Sequence, residues 1–273
     1  MRRNTIAYPY IIWMVIFTIA PLLLIFYYSV VEAGNGFQIT FKHIQRVFDP
    51  LYIAVLFRSV KLAAISTFVC LILGYPMAMI LAQRNLSKKS IFVVLFVIPM
   101  WMNFLARTYA WMTLLQKNGP LNSVLSLMNL PQLNILYTES AVVLGMVYNF
   151  LPFMVLPIYS VLIKIDRSVV EAAEDLGATP YISFITIILP KSLPGIMSGI
   201  AMVFMPSVTT FVISSLLGGG QQTLIGNLIE QQFLKTRDWG FGSSLSLVLM
   251  ILILLSMGII SKYEKEREGG GLW

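Results

Sequence analysis

The sequence predicts an all-α membrane protein with six transmembrane helices. Hydrophobic residues make up 58% of the 273 positions and charged residues only 11%, whereas soluble globular domains carry about a quarter charged residues. The apolar residues also occur in long blocks, and about 20 helical residues suffice to cross the roughly 30 Å hydrocarbon core of a bilayer. Composition and block length together argue against a soluble fold.

Six apolar blocks have the length of membrane-spanning helices, and polar loops separate them. Trp and Tyr residues cluster near several block ends, as is typical of membrane interfaces. The first block is longer than the core of a secretory signal peptide, which has about 7–15 residues, so an uncleaved first helix is expected. The predicted spans cover residues 10–31, 60–82, 91–115, 140–163, 195–217 and 244–260.

The distribution of Lys and Arg predicts the orientation of these spans. With both termini in the cytosol, the inner segments hold eleven basic residues, including Arg2, Arg3, Arg84 and Lys88, and the outer loops hold seven. The inner segments are shorter, so their basic density is roughly twice that outside, as the positive-inside rule requires. The net charge of +7 therefore indicates orientation and contact with the lipid bilayer rather than nucleic-acid binding.

The sequence carries no pattern typical of a metal site or a catalytic site. It has one histidine, His43, and one cysteine, Cys70, which cannot supply the ligand sets and catalytic groups that such sites need. A phosphate-binding loop with its lysine is also missing, since the glycines at 218–220 precede Gln-Gln-Thr. We therefore expect no metal, no cofactor and no enzymatic activity on this chain.

The fourth predicted span contains two prolines, Pro152 and Pro157. Proline removes a backbone donor and bends a helix, and within a membrane the freed carbonyl needs another partner or a water-lined cavity. Interrupted helices often mark transport pathways near the midplane, but prolines also shape packing alone. Both interpretations remain open at this stage.

Three of the twelve acidic residues lie within five positions between the fourth and fifth spans. Glu171, Glu174 and Asp175 follow the i, i+3, i+4 spacing of one helix face, and Gly177 suits the end of that helix. Apolar residues at helical spacing then predict a second amphipathic segment that stops at Pro190. The loop 164–192 is thus predicted to form a helix–turn–helix on the cytosolic membrane surface.

The spacing within this loop resembles, residue for residue, the signature loop of permease subunits of binding-protein-dependent ABC importers. It reads Glu-Ala-Ala, three residues, Gly, nine residues, Ile, one residue, Leu-Pro. The resemblance implies the type I importer permease fold over a single transmembrane domain, residues 1–273. It also implies that the loop docks on a separate ATPase as a coupling helix. The matching residues are Glu171, Ala172, Ala173, Gly177, Ile187, Leu189 and Pro190.

The same resemblance implies several partner chains. Two ATPase subunits would bind ATP and Mg²⁺, and a second, homologous permease subunit would complete the path. An extracytoplasmic substrate-binding protein would deliver the solute. The implied location is the bacterial cytoplasmic membrane.

Four further segments, 98–111, 148–160, 224–234 and 237–244, resemble the B-type permeases of spermidine/putrescine importers. The similarity runs from about Asp49 onward and implies import of polyamines into the cytoplasm. A permease for another small solute remains an alternative. An ATP-independent secondary transporter is a further alternative, but it predicts ionisable residues for ion coupling within the helices and usually inverted repeats; no acidic residue lies within the predicted spans, and no repeat is found.

The candidate residues for a substrate path are mainly aromatic, because no acidic residue is predicted inside a span. Aromatic faces attract ammonium groups through cation–π contacts. Tyr148, Pro152 and Tyr159 share one face of the fourth predicted span, and Trp101 and Asn103 lie in the third. Each of these residues is equally compatible with packing or lipid contact.

Three acidic residues in the predicted outer loops, Glu139, Glu230 and Asp238, are candidates for contact with the binding protein. A polyamine is the alternative ligand for these carboxylates. Arg107 is predicted within the membrane, where it either pairs with a partner helix or extends toward the outer interface.

Overall fold

A computed structural model describes residues 8–32, 38–82 and 89–268, and these are mostly helical. Five helices are long and apolar enough to cross a membrane, and a bent pair adds a sixth span if it counts as one. The predicted all-α architecture is confirmed. Of the basic residues that predict the orientation, Arg2, Arg3, Arg84 and Lys88 lie outside the described residues. The five helices are Pro9–Val30, Pro50–Ala82, Glu139–Leu162, Pro180–Thr209 and Trp239–Ile260.

The first span has its apolar side chains exposed over almost its whole length. Lipid or another chain must therefore cover it, because exposed apolar surface of this extent is unfavourable in water. A short antiparallel ribbon follows, in which Val31 pairs with Ile39. The elements are α1 (Tyr8–Met14), a π-turn (Val15–Ile19), α2 (Ala20–Val30), β1 (Val31–Glu32) and β2 (Gln38–Ile39).

The second span is the 33-residue helix α4 (Pro50–Ala82), which follows the short helix α3 (Lys42–Val47). It begins ten positions before the predicted start at residue 60. Its first turn is capped, because Oδ1 of Asp49 accepts a hydrogen bond from the amide of Leu51 at 2.9 Å. Capping by an acidic side chain followed by proline favours a helix start at this point.

The third span is bent by 94° between Val93–Trp101 and Phe104–Leu127. The span predicted over 91–115 therefore consists of two helical segments joined at a bend. Pro99 cannot donate a backbone hydrogen bond. A new helix starts after Asn103, whose side-chain Oδ1 accepts a hydrogen bond from the backbone amide of Ala106 at 3.2 Å. The elements are α5 (Lys89–Val97), a 3-10 turn (Ile98–Trp101), α6 (Phe104–Leu115) and α7 (Pro120–Leu127).

The fourth span, α8 (Glu139–Leu162), continues through both of its prolines, and α9 (Arg167–Asp175) follows after a short turn. The side chain of Thr138 caps the start of α8 by accepting the amide of Ala141. Both boundaries of the span agree with the predicted 140–163 to within one residue.

The fifth span begins at Pro180 and runs without a break past Pro190. The expected stop at Pro190 is therefore wrong. The amide of Leu189 bonds to the carbonyl of Phe184, five residues back, and this wider turn accommodates the proline ring that a regular α-helix excludes. The elements are α10 (Pro180–Ser183), a π-turn (Phe184–Ile188) and α11 (Leu189–Thr209).

The fifth span also ends earlier than predicted, because the backbone of Thr210 is extended. Three α-helices follow in the described part of the chain, and the last of them is the sixth span. A left-handed residue, Arg237, separates the π-turn from the final helix. The elements are α12 (Val212–Leu217), α13 (Ile225–Gln231), a π-turn (Gln232–Thr236) and α14 (Trp239–Glu268).

The core of the bundle is the packing of α4, α8 and α11 against one another. Small residues permit this close approach: a Cβ atom on Gly195 of α11 would lie 2.9 Å from the carbonyl oxygen of Pro157 on α8. A second apolar cluster joins α14 to α13 and α4 around the fully buried Phe241. One end of the bundle carries α3 and α13, and the other carries α9; they are called the α3 end and the α9 end below.

Candidate functional site

Helix α9 is closed at both ends by local hydrogen bonds. Oδ1 of Asp166 accepts a hydrogen bond from the backbone amide of Ser168 at 3.0 Å. At the other end, the amide of Gly177 bonds to the carbonyl of Glu174, and that of Ala178 bonds to Ala173, both at 2.9 Å. Gly177 has a φ of +91°, so this is the Schellman motif that glycine favours. The predicted helix end at Gly177 is therefore observed.

The outer surface of α9 combines acidic and apolar side chains. Glu171, Ala172 and Glu174 are exposed, and Ala173 is half-buried. Leu176 is 90% exposed and Tyr181, just beyond it, is 72% exposed. We call Glu171, Ala172, Glu174, Leu176 and Tyr181 the α9 surface. Exposed apolar groups beside carboxylates at the end of a bundle are typical of a protein interface.

The second half of the loop is tied to the core by residues that sequence reasoning missed. The hydroxyl of Tyr75 on α4 lies 2.9 Å from Oγ of Ser192 on α11. Ser192 in turn donates to the carbonyl of Leu189 at 2.9 Å. The Tyr75 ring also meets the ring of Phe184 edge-on. No local sequence signal connects two residues that lie 117 positions apart.

The remaining residues of the signature pattern lie at this junction. Ile187 belongs to the π-turn and is half-buried, and Leu189 packs against the main core. Pro190 is exposed. The pattern therefore spans one exposed helix, one glycine turn and the attachment of the fifth span to the core.

The aromatic path candidates occupy different environments. Trp101 is 80% exposed at the bend of the third span, and Asn103 caps α6. On α8, Tyr148 packs edge-on against Trp111, whereas Pro152 is buried in the core and Tyr159 packs at its edge. Pro152 and Tyr148 lie on the same helix, but Pro152 is buried in the core whereas Tyr148 is partly exposed.

Arg107 is buried on α6, with only 8% of its surface exposed. Its Nε has no hydrogen-bond partner among the described residues. Leaving a buried polar donor without a partner is costly.

Two of the three acidic residues predicted for the outer loops form ion pairs within the chain at the α3 end. Glu139 lies 3.0 Å from Nζ of Lys61 and 3.8 Å from Nε of Arg58. Asp238 lies 2.8 Å from Arg46, whose guanidinium also sits 4.1 Å from the ring centroid of Phe241. These pairs bring α3, α4, α8 and α14 together at one end.

The charge of Arg46 is secured by its surroundings. Burial lowers the pKa of Arg46, but hydrogen bonds and charge from Tyr52 and Asp238 outweigh this, and its pKa lies above the ordinary value. The contacts with Tyr52 and Asp238 therefore favour the charged form of Arg46.

Glu230 differs from Glu139 and Asp238 in its surroundings. It is half-buried on α13, and no Lys, Arg or His side chain of the described ranges lies within 4 Å of it. Within the same ranges, no three His, Cys, Asp or Glu side chains lie close enough to share a metal ion.

Comparison with protein families gives a match over most of the chain. Residues 71–265 match the family described as "Binding-protein-dependent transport system inner membrane component". The chain is 39% identical over 251 residues to the spermidine/putrescine transport system permease protein PotB of Escherichia coli, covering 90% of this chain and 91% of PotB. It is 36% identical over 259 residues to PotB of Haemophilus influenzae, covering 93% of this chain and 91% of that protein.

The fold is also found among solved structures. A chain in the crystal structure of the bacterial alginate ABC transporter, solved in complex with an alginate pentasaccharide-bound periplasmic protein, superposes with a TM-score of 0.77. The match covers 97% of this chain and 96% of that chain at 18% sequence identity. The predicted fold class, that of a type I ABC importer permease, is thereby confirmed.

Proposed function

Because this chain belongs to the family of binding-protein-dependent transport system inner membrane components, we propose that it is the permease subunit of an ATP-driven importer of polyamines. The observation that carries the proposal is the α9 surface, an exposed, capped helix with the family's signature spacing. The polyamine class is supported by the names of the relatives, which transport spermidine and putrescine.

The proposed assembly contains two ATPase subunits, a second, homologous permease subunit and an extracytoplasmic binding protein. ATP and Mg²⁺ bind to the ATPase subunits, and this chain catalyses no reaction and binds no cofactor. A second permease subunit also explains the first span, whose apolar side chains are exposed. We place the chain in the bacterial cytoplasmic membrane with both termini in the cytosol, since basic residues are concentrated on that side.

In this arrangement the α9 end faces the cytosol and α9 is the coupling helix. The carboxylates of Glu171 and Glu174 pair with basic groups of the ATPase, and the small side chain of Ala172 permits close approach. Leu176 fills an apolar depression of the partner, because a 90% exposed leucine loses unfavourable contact with water when it docks.

Movement of α9 reaches the membrane through the continuous helix that starts at Pro180. The left-handed turn at Gly177 fixes the angle between α9 and this helix. The contact between Tyr75 and Ser192 then ties the same helix to α4. Closure of the ATPase dimer thus moves α11 and α4 together, and this movement changes the side of the membrane to which the solute path is open.

The proposed path uses aromatic side chains rather than carboxylates in the spans. Trp101 is exposed at the bend of the third span, and Tyr148 is partly exposed next to Trp111. Cation–π contacts with such rings contribute up to about 2 kcal/mol when desolvated. Asn103 starts α6 and Pro152 frees a carbonyl on α8, and we assign both residues, with Tyr159, supporting roles along the path.

The α3 end is the proposed contact region for the binding protein. Glu139 and Asp238 are partly exposed there, and basic residues of the binding protein compete with Lys61 and Arg46 for them. Exposed ion pairs contribute only about 0–1 kcal/mol, so such an exchange is energetically accessible.

The test is reconstitution of the complete transporter in proteoliposomes with external binding protein and internal ATP. ATP-dependent uptake of labelled spermidine or putrescine is expected, and Glu171→Gln should lower it about tenfold by removing a charged contact. Asp49→Asn is the matched control, since it makes the same chemical change at the α3 end and an asparagine also caps a helix.

Each part of the proposal has its own refuting result. ATP-dependent uptake that is unchanged by Glu171→Gln combined with Leu176→Ser would contradict the coupling role of α9. A cognate binding protein that binds neither spermidine nor putrescine would contradict the polyamine class but not the coupling. Uptake that needs no ATP would overturn the importer assignment itself.

A further inference from the structure

An open groove of about 440 Å³ runs along the bundle where α13 and the end of α11 meet α14. Its walls are mainly apolar, and among its lining residues only Glu230 carries a charge. The volume lies within the roughly 300–1,000 Å³ range of small-molecule sites. The groove extends along α14 from Ser246 to Leu254, and this stretch lies within the sixth span.

The carboxylate of Glu230 has no cationic partner among the described residues, whereas Glu139 has two, Lys61 and Arg58, and Asp238 has one, Arg46. A half-buried carboxylate beside apolar walls is poorly solvated, and a cation that enters the groove lowers its free energy. The groove therefore selects for positive charge on the ligand at the position of Glu230.

The end of α11 strengthens this preference. Thr209 lines the groove and is the last residue of a 21-residue helix, and helix C-termini carry a partial negative charge. Gly226 lets these carbonyls come close, since a Cβ atom there would lie 2.5 Å from the oxygen of Thr209. The ring of Phe211 also lines the groove and is 42% exposed, which adds an aromatic surface for an ammonium group.

We propose that this groove, with Glu230 beside the end of α11 and the apolar side chains of α14 below, is a binding site for a linear alkylammonium ion. One ammonium group binds at Glu230, beside the end of α11 and the ring of Phe211. The methylene chain then lies along Ile229, Leu249 and Ile253. The inference rests on the proposed function, because it places a polyamine site in the permease, next to the α3 end where the binding protein is proposed to release its ligand.

Two other occupants fit the groove less well. A helix of the second permease subunit or a lipid acyl chain would match the apolar walls. A helix or an acyl chain does not compensate the negative charge of Glu230 unless it also carries a cation next to that carboxylate. An aliphatic amine matches both the charge and the apolar walls.

The test measures ligand binding directly, without depending on transport. Ser246→Cys places a thiol in the groove, and the native Cys70 is fully buried. The complete transporter in nanodiscs, without ATP, is treated with a small maleimide in the presence and absence of putrescine. At ten times its dissociation constant, putrescine should slow alkylation about tenfold, because about one site in ten then stays empty.

Matched variants and a neutral probe sharpen the experiment. Glu230→Gln in the Ser246→Cys background should abolish protection, and Asp49→Asn in the same background should retain it. Butane-1,4-diol, which has the same chain but no charge, should not protect. In the uptake assay, Glu230→Gln should lower the maximal rate while leaving the half-saturating concentration of loaded binding protein unchanged, because a binding-protein contact would change the latter.

The refuting outcomes are distinct from those of the proposed function. Equal protection by the diol, or equal alkylation with and without putrescine, overturns the ammonium site. If the thiol of Ser246→Cys does not react with maleimide even without putrescine, the second permease subunit covers the groove. If the rate of alkylation instead changes with the acyl chains of the nanodisc lipid, lipid occupies it. Protection in a transporter that moves no polyamine leaves the site standing and refutes the function.

Discussion

The hydroxyl of Tyr75 lies 2.9 Å from Oγ of Ser192, and both side chains are buried. Tyr75 belongs to the second span, and Ser192 lies in the first turn of α11 in the fifth span. The contact therefore joins two core helices near the π-turn that leads into α11. If α9 is the coupling helix, we expect a movement of the fifth span to pass to the second span through this contact.

Removing the hydroxyl with Tyr75→Phe should loosen this connection while the ring contact with Phe184 is kept. The loss of one buried hydrogen bond costs about 1 kcal/mol in the free energy of unfolding. We expect ATP hydrolysis to continue and the number of solute molecules imported per ATP to fall. The measurement is uptake and phosphate release in the same proteoliposomes.

A double-mutant cycle with Ser192→Ala separates coupling from general damage. If the hydrogen bond carries the effect, the double variant should resemble the single variants, with an interaction energy of about 0.5–1.5 kcal/mol. Additive losses of transport efficiency in the double variant would show that the contact is not the connection.

Leu176 should contribute to the affinity for the ATPase through its exposed side chain. Leu176→Ser removes the apolar group that docks, and burial of a leucine is worth about 1.5–3 kcal/mol. Binding of the ATPase subunits should therefore weaken roughly tenfold or more in a pull-down titration. Leu127→Ser is the control, because Leu127 on α7 is also 83% exposed; equal weakening by both variants would contradict the prediction.

Gly177→Ala should disturb the angle of α9 without any steric clash. No atom lies within 4 Å of a Cβ atom at this position, but the φ of +91° is strained for alanine. The strain is of the order of 1–2 kcal/mol, and relief through a changed turn would misalign the α9 surface. ATPase stimulation by loaded binding protein should drop.

The control for this variant is Gly220→Ala, which introduces the same kind of strain elsewhere. Gly220 has a φ of +75° and open space around it, and it lies in the loop between α12 and α13. Its replacement should lower stability by a similar amount and leave ATPase stimulation intact. Equal loss of stimulation in both variants would assign the effect to stability alone.

The sequence predicts the spans well where apolar blocks coincide with capped helix ends. The fourth span agrees to within one residue, because Thr138 and the turn after Leu162 fix its limits locally. The third span differs, since Pro99 and Asn103 produce a bend that hydropathy does not register. At Pro190 the sequence predicts a helix end that the structure does not have, because the π-turn before this residue accommodates the proline without a break in the helix.

The candidate site was predictable only where it is local in sequence. The cap at Asp166 and the turn at Gly177 follow from neighbouring residues, and they define α9. The contact of Tyr75 with Ser192 depends on helix packing across 117 positions, and the groove at Glu230 depends on how α13 folds back against α14. Neither has a periodic or spacing signal in the chain.

Gly195→Ala should destabilise the interface between α11 and α8. A Cβ atom there would lie 2.9 Å from the carbonyl oxygen of Pro157 and 3.0 Å from Cα of Ile158. Backbone atoms cannot rotate away, so the two helices must separate, at a cost of about 1–3 kcal/mol. The thermal unfolding midpoint of the purified chain in nanodiscs should fall.

The helical Gly258 supplies the comparison, because nothing lies within 4 Å of a Cβ atom at that position. Gly258→Ala should raise stability or leave it unchanged, since alanine is favoured over glycine in helices by about 1 kcal/mol. A midpoint for Gly195→Ala equal to that of Gly258→Ala would mean that α8 and α11 do not approach each other this closely. In that case movement of α11 would not pass directly to α8, and the contact with Tyr75 would have to transmit it alone.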